Sequence, residues 1–150
     1  MKLESLLGIT MPKFGKQSLD RLATCHPDLQ KVMNEAIKHY DFTILYGYRT
    51  PNEQFELYKK GRTFKNGKWV KTGTTVTNLD GKTKLSNHNY SPSLAIDIAP
   101  YPIDWNDTDR FEALAEVVKK AAKTVNVYIT WGGDWVTPID MPHYELKDKK

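Results

Sequence analysis

Two histidines and two aspartates carry the chemistry this chain could perform. His88 and Asp97 lie in the segment Ser86-Asn87-His88-Asn89-Tyr90-Ser91-Pro92-Ser93-Leu94-Ala95-Ile96-Asp97, and the second pair lies in Asp140-Met141-Pro142-His143. They offer two imidazoles and a carboxylate as metal ligands, with a second carboxylate left to carry a proton. Two His and one acidic ligand around Zn²⁺ leave a coordination position open for water, which distinguishes catalytic from structural zinc. A neighbouring carboxylate can then accept a proton from that water. The combination suggests a small zinc hydrolase.

Each piece is weak alone. Eight residues separate His88 from Asp97, and a His and Asp at that distance are more often unrelated surface groups. Asp140 and His143 are three apart beside Pro142, a spacing also met by chance. Asp97 adds weight because it interrupts the apolar run Leu94–Ala99, where an unpaired carboxylate is costly to bury. A metal, a cation or a wet cleft must compensate it. Arg49, in Tyr46-Gly47-Tyr48-Arg49-Thr50, stands between an apolar run and a capped helix start. Its guanidinium could hold a substrate carboxylate or a developing oxyanion; the plain alternative is a structural or surface arginine. His26 and His39 lack acidic partners at suggestive spacing and read as structural. Trp131 and Trp135 read as core or cleft wall.

The elements that must position these groups follow from pattern. Leu29, Val32, Met33, Ala36, Ile37 and Tyr40 recur at helical spacing from Pro27 to Tyr40, with Pro27 suited to the first turn. Residues 41 to 46 read as a buried strand. Thr50-Pro51-Asn52-Glu53 forms a capping-box start for a helix that Gly61 should end. Residues 62 to 85 are polar and rich in Gly, Thr and Lys, with hairpin-type turn signals at Asn66-Gly67 and Asp80-Gly81. An irregular excursion with short strands is expected there, a mobile loop bordering a cleft. Residues 94 to 99 form a strand with Ile96 and Ile98 on one face and Asp97 on the other. A long helix opens at Asp107 or Thr108, with Phe111, Leu114, Ala115, Val118 and Ala122 on its stripe, acids early and lysines late. Strands at 127 to 131 and 143 to 146 flank a Gly132-Gly133 turn. The expected class is α+β, with a small, mainly antiparallel sheet packed by helices.

At 150 residues one domain is expected, residues 1 to 150, with a core of its own and no separate wall-binding domain. Cys25 is the single cysteine, which excludes an intramolecular disulfide and any Cys-based zinc site; it reads as a small buried apolar residue. Met1 to Gly8 lacks the apolar stretch of a signal peptide and no later run could span a bilayer, so synthesis in the cytoplasm is expected. The net charge of +4, from 22 basic and 18 acidic residues, serves solubility or draws the chain to a polyanion such as cell wall. There is no nucleic-acid motif and no basic stripe interleaved with aromatics, so no nucleic-acid partner is expected. The tail Lys147-Asp148-Lys149-Lys150 reads as a solvated end.

Taken in order, Tyr46-Gly47-Tyr48-Arg49, a helix with Gln54, Ser86-x-His88, Ala95-Ile96-Asp97, Trp131-Gly132-Gly133-Asp134-Trp135 and Asp140-x-Pro142-His143-Tyr144-Glu145-Leu146 resemble the LAS-type zinc peptidases. That group includes D-alanyl-D-alanine carboxypeptidases and dipeptidases and the zinc domain of hedgehog proteins. Within it the likeness is to phage endolysins that are L-alanyl-D-glutamate peptidases, and it runs from about Ser18 to Leu146. The resemblance implies the hedgehog/D-Ala-D-Ala-peptidase fold, zinc held by His88, Asp97 and His143, Asp140 as general base and Arg49 as stabiliser of the carbonyl or oxyanion. Ser86 and Gln54 take supporting roles. It also implies peptidoglycan stem peptides as substrate, a monomer, and action in the periplasm or wall after a holin-type pore opens the membrane. A carboxypeptidase or dipeptidase specificity, a non-catalytic zinc-binding module and a wall-degrading component of a phage particle are the alternatives. Many relatives place six residues between the first His and the Asp; the eight here predict a loop that bulges before the Asp strand.

Overall fold

The computed structural model describes residues 11–147; the expectations for Met1 to Gly8 and for the last three residues of the tail lie outside them. Four strands form one antiparallel sheet in the order β1-β4-β6-β5: β1 (Phe42–Tyr46), β4 (Ala95–Pro100), β5 (Ile129–Trp131) and β6 (His143–Leu146). Helices α1 (Lys16–Leu22), α2 (Pro27–Ala36), α3 (Pro51–Lys59) and α4 (Thr108–Thr124) accompany it, and β2 (Arg62–Lys65) with β3 (Lys68–Lys71) makes a separate hairpin. The α+β expectation holds, and among the described residues no helix is long and apolar enough to cross a membrane.

Strand alternation gives the sheet two chemically different faces. Ile44 opposes Ile98, Ile96 opposes Tyr144, and Trp131 opposes Tyr144 from the other side, all in the core cluster with Leu29, Val32 and Met33 of α2 and Leu114, Ala115 and Val118 of α4. On the other face, Asp97 opposes His143 directly, and Glu145 follows two residues later. A one-residue slip of β6 would drive His143 into the core and Tyr144 out of it. Burial of the apolar set thus fixes the pairing of two polar residues 46 apart in sequence.

Several boundaries moved for identifiable reasons. Helix α2 stops at Ala36, since Lys38 and His39 donate instead to Glu35 and Ala36 in a tightened last turn. His26 has its structural role: Nδ1 caps α2 by accepting from Asp28 N at 3.0 Å. Only Phe42 and Ile44 of β1 are buried, while Thr43 on the other side bonds Ser18 of α1 and Tyr46 is exposed. Strand β5 starts at Ile129 because Val127 N caps α4 on Ala122 O, after Asn126 in the left-handed region (φ 60°). Cys25 is buried as expected, and burial pushes its thiol up to about 12.

Residues 62 to 85 contain one hairpin, not two. Asn66 and Gly67 both have positive φ and join β2 to β3 by the two-residue turn their types favour. Asp80-Gly81 makes a closed local loop instead. The Asp80 carboxylate accepts from the backbone N–H groups of Lys82, Thr83 and Lys84 and from Thr83 Oγ1, which holds it well below the usual carboxylate range. Gly61, at φ 78°, ends α3 where a side chain would strike the Thr74 carbonyl.

Candidate active site

The site begins where β1 breaks its register. Ile44 pairs with Ile98 and Tyr46 with Asp97, so Leu45 is bulged and Tyr46 is turned beside the aspartate. Gly47 follows, packed so tightly against Thr24, Arg21 O and Cys25 that no Cβ fits. Its carbonyl lies 2.7 Å from His88 Nδ1. A carbonyl only accepts, so Nδ1 carries a proton, which leaves Nε2, 3.3 Å from Asp97 Oδ1, as the ring nitrogen that can offer a lone pair.

His88 sits on a single 3-10 turn, Asn87–Asn89, made by its neighbours. Ser86 Oγ accepts from His88 N, Asn89 Oδ1 accepts from Ser86 N, and Asn89 Nδ2 donates to Arg49 O. These bonds give Ser86 its supporting role. The chain after the turn does bulge before β4: Ser93 forms an isolated bridge with Cys25, exchanging backbone bonds with Thr24 and His26. The longer His88-to-Asp97 connection is thereby pinned to the α1–α2 corner, and His88 still meets Asp97.

His143 reaches the same point from β6. Its Nε2 lies 2.8 Å from Glu145 Oε1 and its Nδ1 lies 3.2 Å from Asp97 Oδ1. A carboxylate accepts, so Glu145 fixes the Nε2–H tautomer and leaves the Nδ1 lone pair facing Asp97. Asn87 Nδ2 donates to the other oxygen of Glu145 at 2.7 Å, tying the His88 turn to β6. Neither Glu145 nor Asn87 stands out as a functional residue in the sequence. Period 2 along a strand was the available signal, since it puts an acid two residues from His143 on the same face. Glu145→Gln is expected to weaken metal binding about 10–100-fold, read by titration against a competing chelator, with the fold unchanged by circular dichroism.

Three acceptor atoms thus converge, His88 Nε2, Asp97 Oδ1 and His143 Nδ1, all within 4.8 Å of one another. Lone pairs facing one another at 3.2 and 3.3 Å require a proton or a cation between them. Tetrahedral zinc with ligands at about 2.0–2.2 Å places its ligand atoms roughly 3.3 Å apart, so this trio can hold such an ion. The electrostatics agree. Burial pushes His143 down, but its hydrogen bonds to Asp97 and Glu145 raise it to about 9; burial pushes Asp97 up, and the two histidines hold it below the carboxylate range. The pocket demands positive charge.

Arg49 is not a surface arginine. Its side chain is 13% exposed, with Nη2 3.6 Å from Asp97 Oδ2. Nη1 donates to Gln54 Oε1 at 2.8 Å, and the guanidinium lies over the Tyr46 ring. The Thr50–Glu53 capping box holds α3 so that buried Gln54 faces inward. Asp140 stands apart from the trio. Its Oδ2 is 3.9 Å from His143 Nδ1 and its side chain is 45% exposed. Burial and the charge of Asp97 raise its carboxyl above the ordinary value. The Gly132-Gly133 turn positions it: Asp140 N donates to Gly132 O at 2.9 Å, and Trp131 Nε1 donates to Met141 O at 2.7 Å. A Cβ on Gly132 would meet the Asp140 carbonyl and crowd His143. Gly132→Ala should therefore displace Asp140 and lower turnover at least tenfold while the core persists, checked by kinetics and near-UV circular dichroism. Trp135 is cleft wall, its ring 5.1 Å from that of His143.

The sequence model described as phage L-alanyl-D-glutamate peptidase matches residues 11–148. The chain belongs to the phage L-alanyl-D-glutamate peptidase family. An L-alanyl-D-glutamate peptidase of Escherichia phage T5 is 34% identical to this family member over 140 residues, covering 90% of the chain and 89% of the relative. The peptidoglycan L-alanyl-D-glutamate endopeptidase CwlK of Bacillus subtilis is 39% identical over 121 residues, covering 74% of this chain and 64% of its own. Among solved structures, the L-Ala D-Glu endopeptidase ChiX of Serratia marcescens superposes with a TM-score of 0.68 at 25% identity, covering 89% of this peptidase-family chain and 90% of its own.

Proposed function

We propose that this protein is a zinc-dependent peptidoglycan endopeptidase of the endolysin type, cleaving the bond between L-alanine and D-glutamate in the stem peptide. The observation that carries the reading is the convergence of His88, Asp97 and His143 with Asp140 beside them and outside the ligand set. Membership of the family supports the bond and the polymer.

His88 Nε2, His143 Nδ1 and Asp97 would hold the ion. Bound there, zinc would supply Lewis-acid chemistry, making a water more acidic and a carbonyl more electrophilic. Asp140 takes the proton from the attacking water and returns it to the leaving amine; its carboxyl is half-exposed and raised above the ordinary value by burial and by the charge of Asp97, which suits a group that must both accept and release a proton. Arg49, locked by Gln54 and Asp97, donates to the carbonyl oxygen as negative charge develops on it. Glu145 and Gly47 hold the two imidazoles in the tautomers a metal needs. The protein would be made in the host cytoplasm and reach the wall once a holin-type pore opens the membrane, working as a monomer.

The test is to digest purified peptidoglycan and identify the new termini. New N-terminal D-glutamate is expected. Release of free D-alanine would replace the reading with a carboxypeptidase, and binding without any new terminus would replace it with a recognition module.

A further inference from the structure

The positive charge of this chain is concentrated in one excursion. Residues 59 to 84 hold eight basic residues and one acid, net +7, whereas the remaining 124 hold fourteen basic and seventeen acidic, net −3. The one acid, Asp80, is occupied by its own loop.

The β2–β3 hairpin sets like charges against each other. Arg62 is directly opposite Lys71, and Lys65 directly opposite Lys68. Such pairs destabilise a strand pair, and a two-stranded ribbon has little stability to spare. Among the described residues, Lys65, Lys68 and Lys71 make no ion pair with a carboxylate, and all three are exposed. The hairpin keeps its shape through aromatic packing instead. Trp69 stacks on Phe64 and meets Phe55 of α3 edge-on, while the Arg62 guanidinium lies 3.9 Å from the centre of the Tyr58 ring. Phe64 remains 54% exposed, an open ring among lysines.

This surface is braced on the catalytic arginine. Gln54 accepts from Arg49 and donates to Leu79 O, and Arg62 donates to Thr77 O in the same strap. These bonds connect the hairpin to the site through residues 77 to 79. Resting on the peptidase reading above, we propose that the β2–β3 hairpin is a second contact element for the peptidoglycan sacculus, in which Lys65 and Lys68 on one face of the ribbon and Lys71 on the other bind stem-peptide carboxylates beyond the cleaved bond. A polymer with carboxylates on every stem relieves the cross-strand repulsion at several points at once. Nucleic acid fits less well, since a single exposed ring is no platform for successive bases.

The experiment compares the full chain with the K65Q/K68Q/K71Q variant, each also in an Asp140→Asn background for binding. Co-sedimentation with purified sacculi stripped of attached phosphate polymers is expected to weaken about tenfold or more in the variant, and to fall with salt in the parent. Turnover of sacculi should drop similarly, while turnover of a soluble stem-peptide fragment stays within about twofold. Equal sedimentation of the two proteins overturns the proposal, as does undiminished binding to sacculi whose carboxylates have been amidated. Tighter binding to a single-stranded oligonucleotide than to sacculi at the same salt overturns it in favour of nucleic acid. If the triple variant unfolds by circular dichroism, K68Q alone takes its place, with a loss of about twofold or more expected and no loss overturning the idea. Absence of cleavage of either substrate with the sedimentation difference intact would remove the peptidase reading and leave the anchoring surface standing.

Discussion

Asp140→Asn is expected to lower turnover of the stem peptide by about 10²–10⁴-fold and to leave zinc bound. The two halves of that expectation come from the same geometry. Asp140 lies 3.9 Å from His143 Nδ1, outside the trio of converging acceptors, so its loss removes no ligand. It is close enough to serve a water held at that trio, and its carboxyl is raised by burial and by the charge of Asp97. Asparagine keeps the size and the backbone bond to Gly132 while abolishing the capacity to take a proton. Metal content by mass spectrometry and single-turnover rates on purified stem peptide measure both halves. A variant that keeps full activity, or that loses zinc along with activity, would sink the assignment of Asp140 as base.

His143→Ala is expected to give the opposite pattern, losing metal and activity together. His143 opposes Asp97 across the β4–β6 ladder and supplies one of the three atoms proposed to hold the ion, with Glu145 fixing its tautomer. Its removal also strips Asp97 of one of the two imidazoles that offset its burial. Zinc should be undetectable after dialysis, and added zinc should not restore turnover. The chelated parent protein, by contrast, should recover when zinc is returned. Retention of stoichiometric zinc by His143→Ala would mean that the ion sits elsewhere, and the ligand set would have to be redrawn.

The sequence by itself determined the parts of this protein that depend on local chemistry. The capping box at Thr50–Glu53, the turn at Asn66-Gly67, the helix begun by Asp107 and the alternation of Ile96, Asp97 and Ile98 rest on neighbours along the chain, and the structure carries each of them. Residue type also singled out His88, Asp97, Asp140, His143 and Arg49 as candidates, because few side chains can ligate an ion, shuttle a proton or hold an oxyanion. Boundaries were less legible. Val127 looked like strand, yet the end of α4 claims its N–H; Asp80-Gly81 looked like a hairpin, yet the carboxylate closes its own loop.

Only the tertiary structure decided how those groups act on one another. Sheet register, set by burying Ile96 against Tyr144, brings Asp97 opposite His143, and a bulge at Leu45 carries Gly47 O to His88. The Gly47 carbonyl orients the His88 ring, Asn87 reaches across to Glu145, and His143 meets Asp97. Local sequence cannot encode them because hydrogen-bond partners 40 to 60 residues apart meet only after the apolar faces have packed.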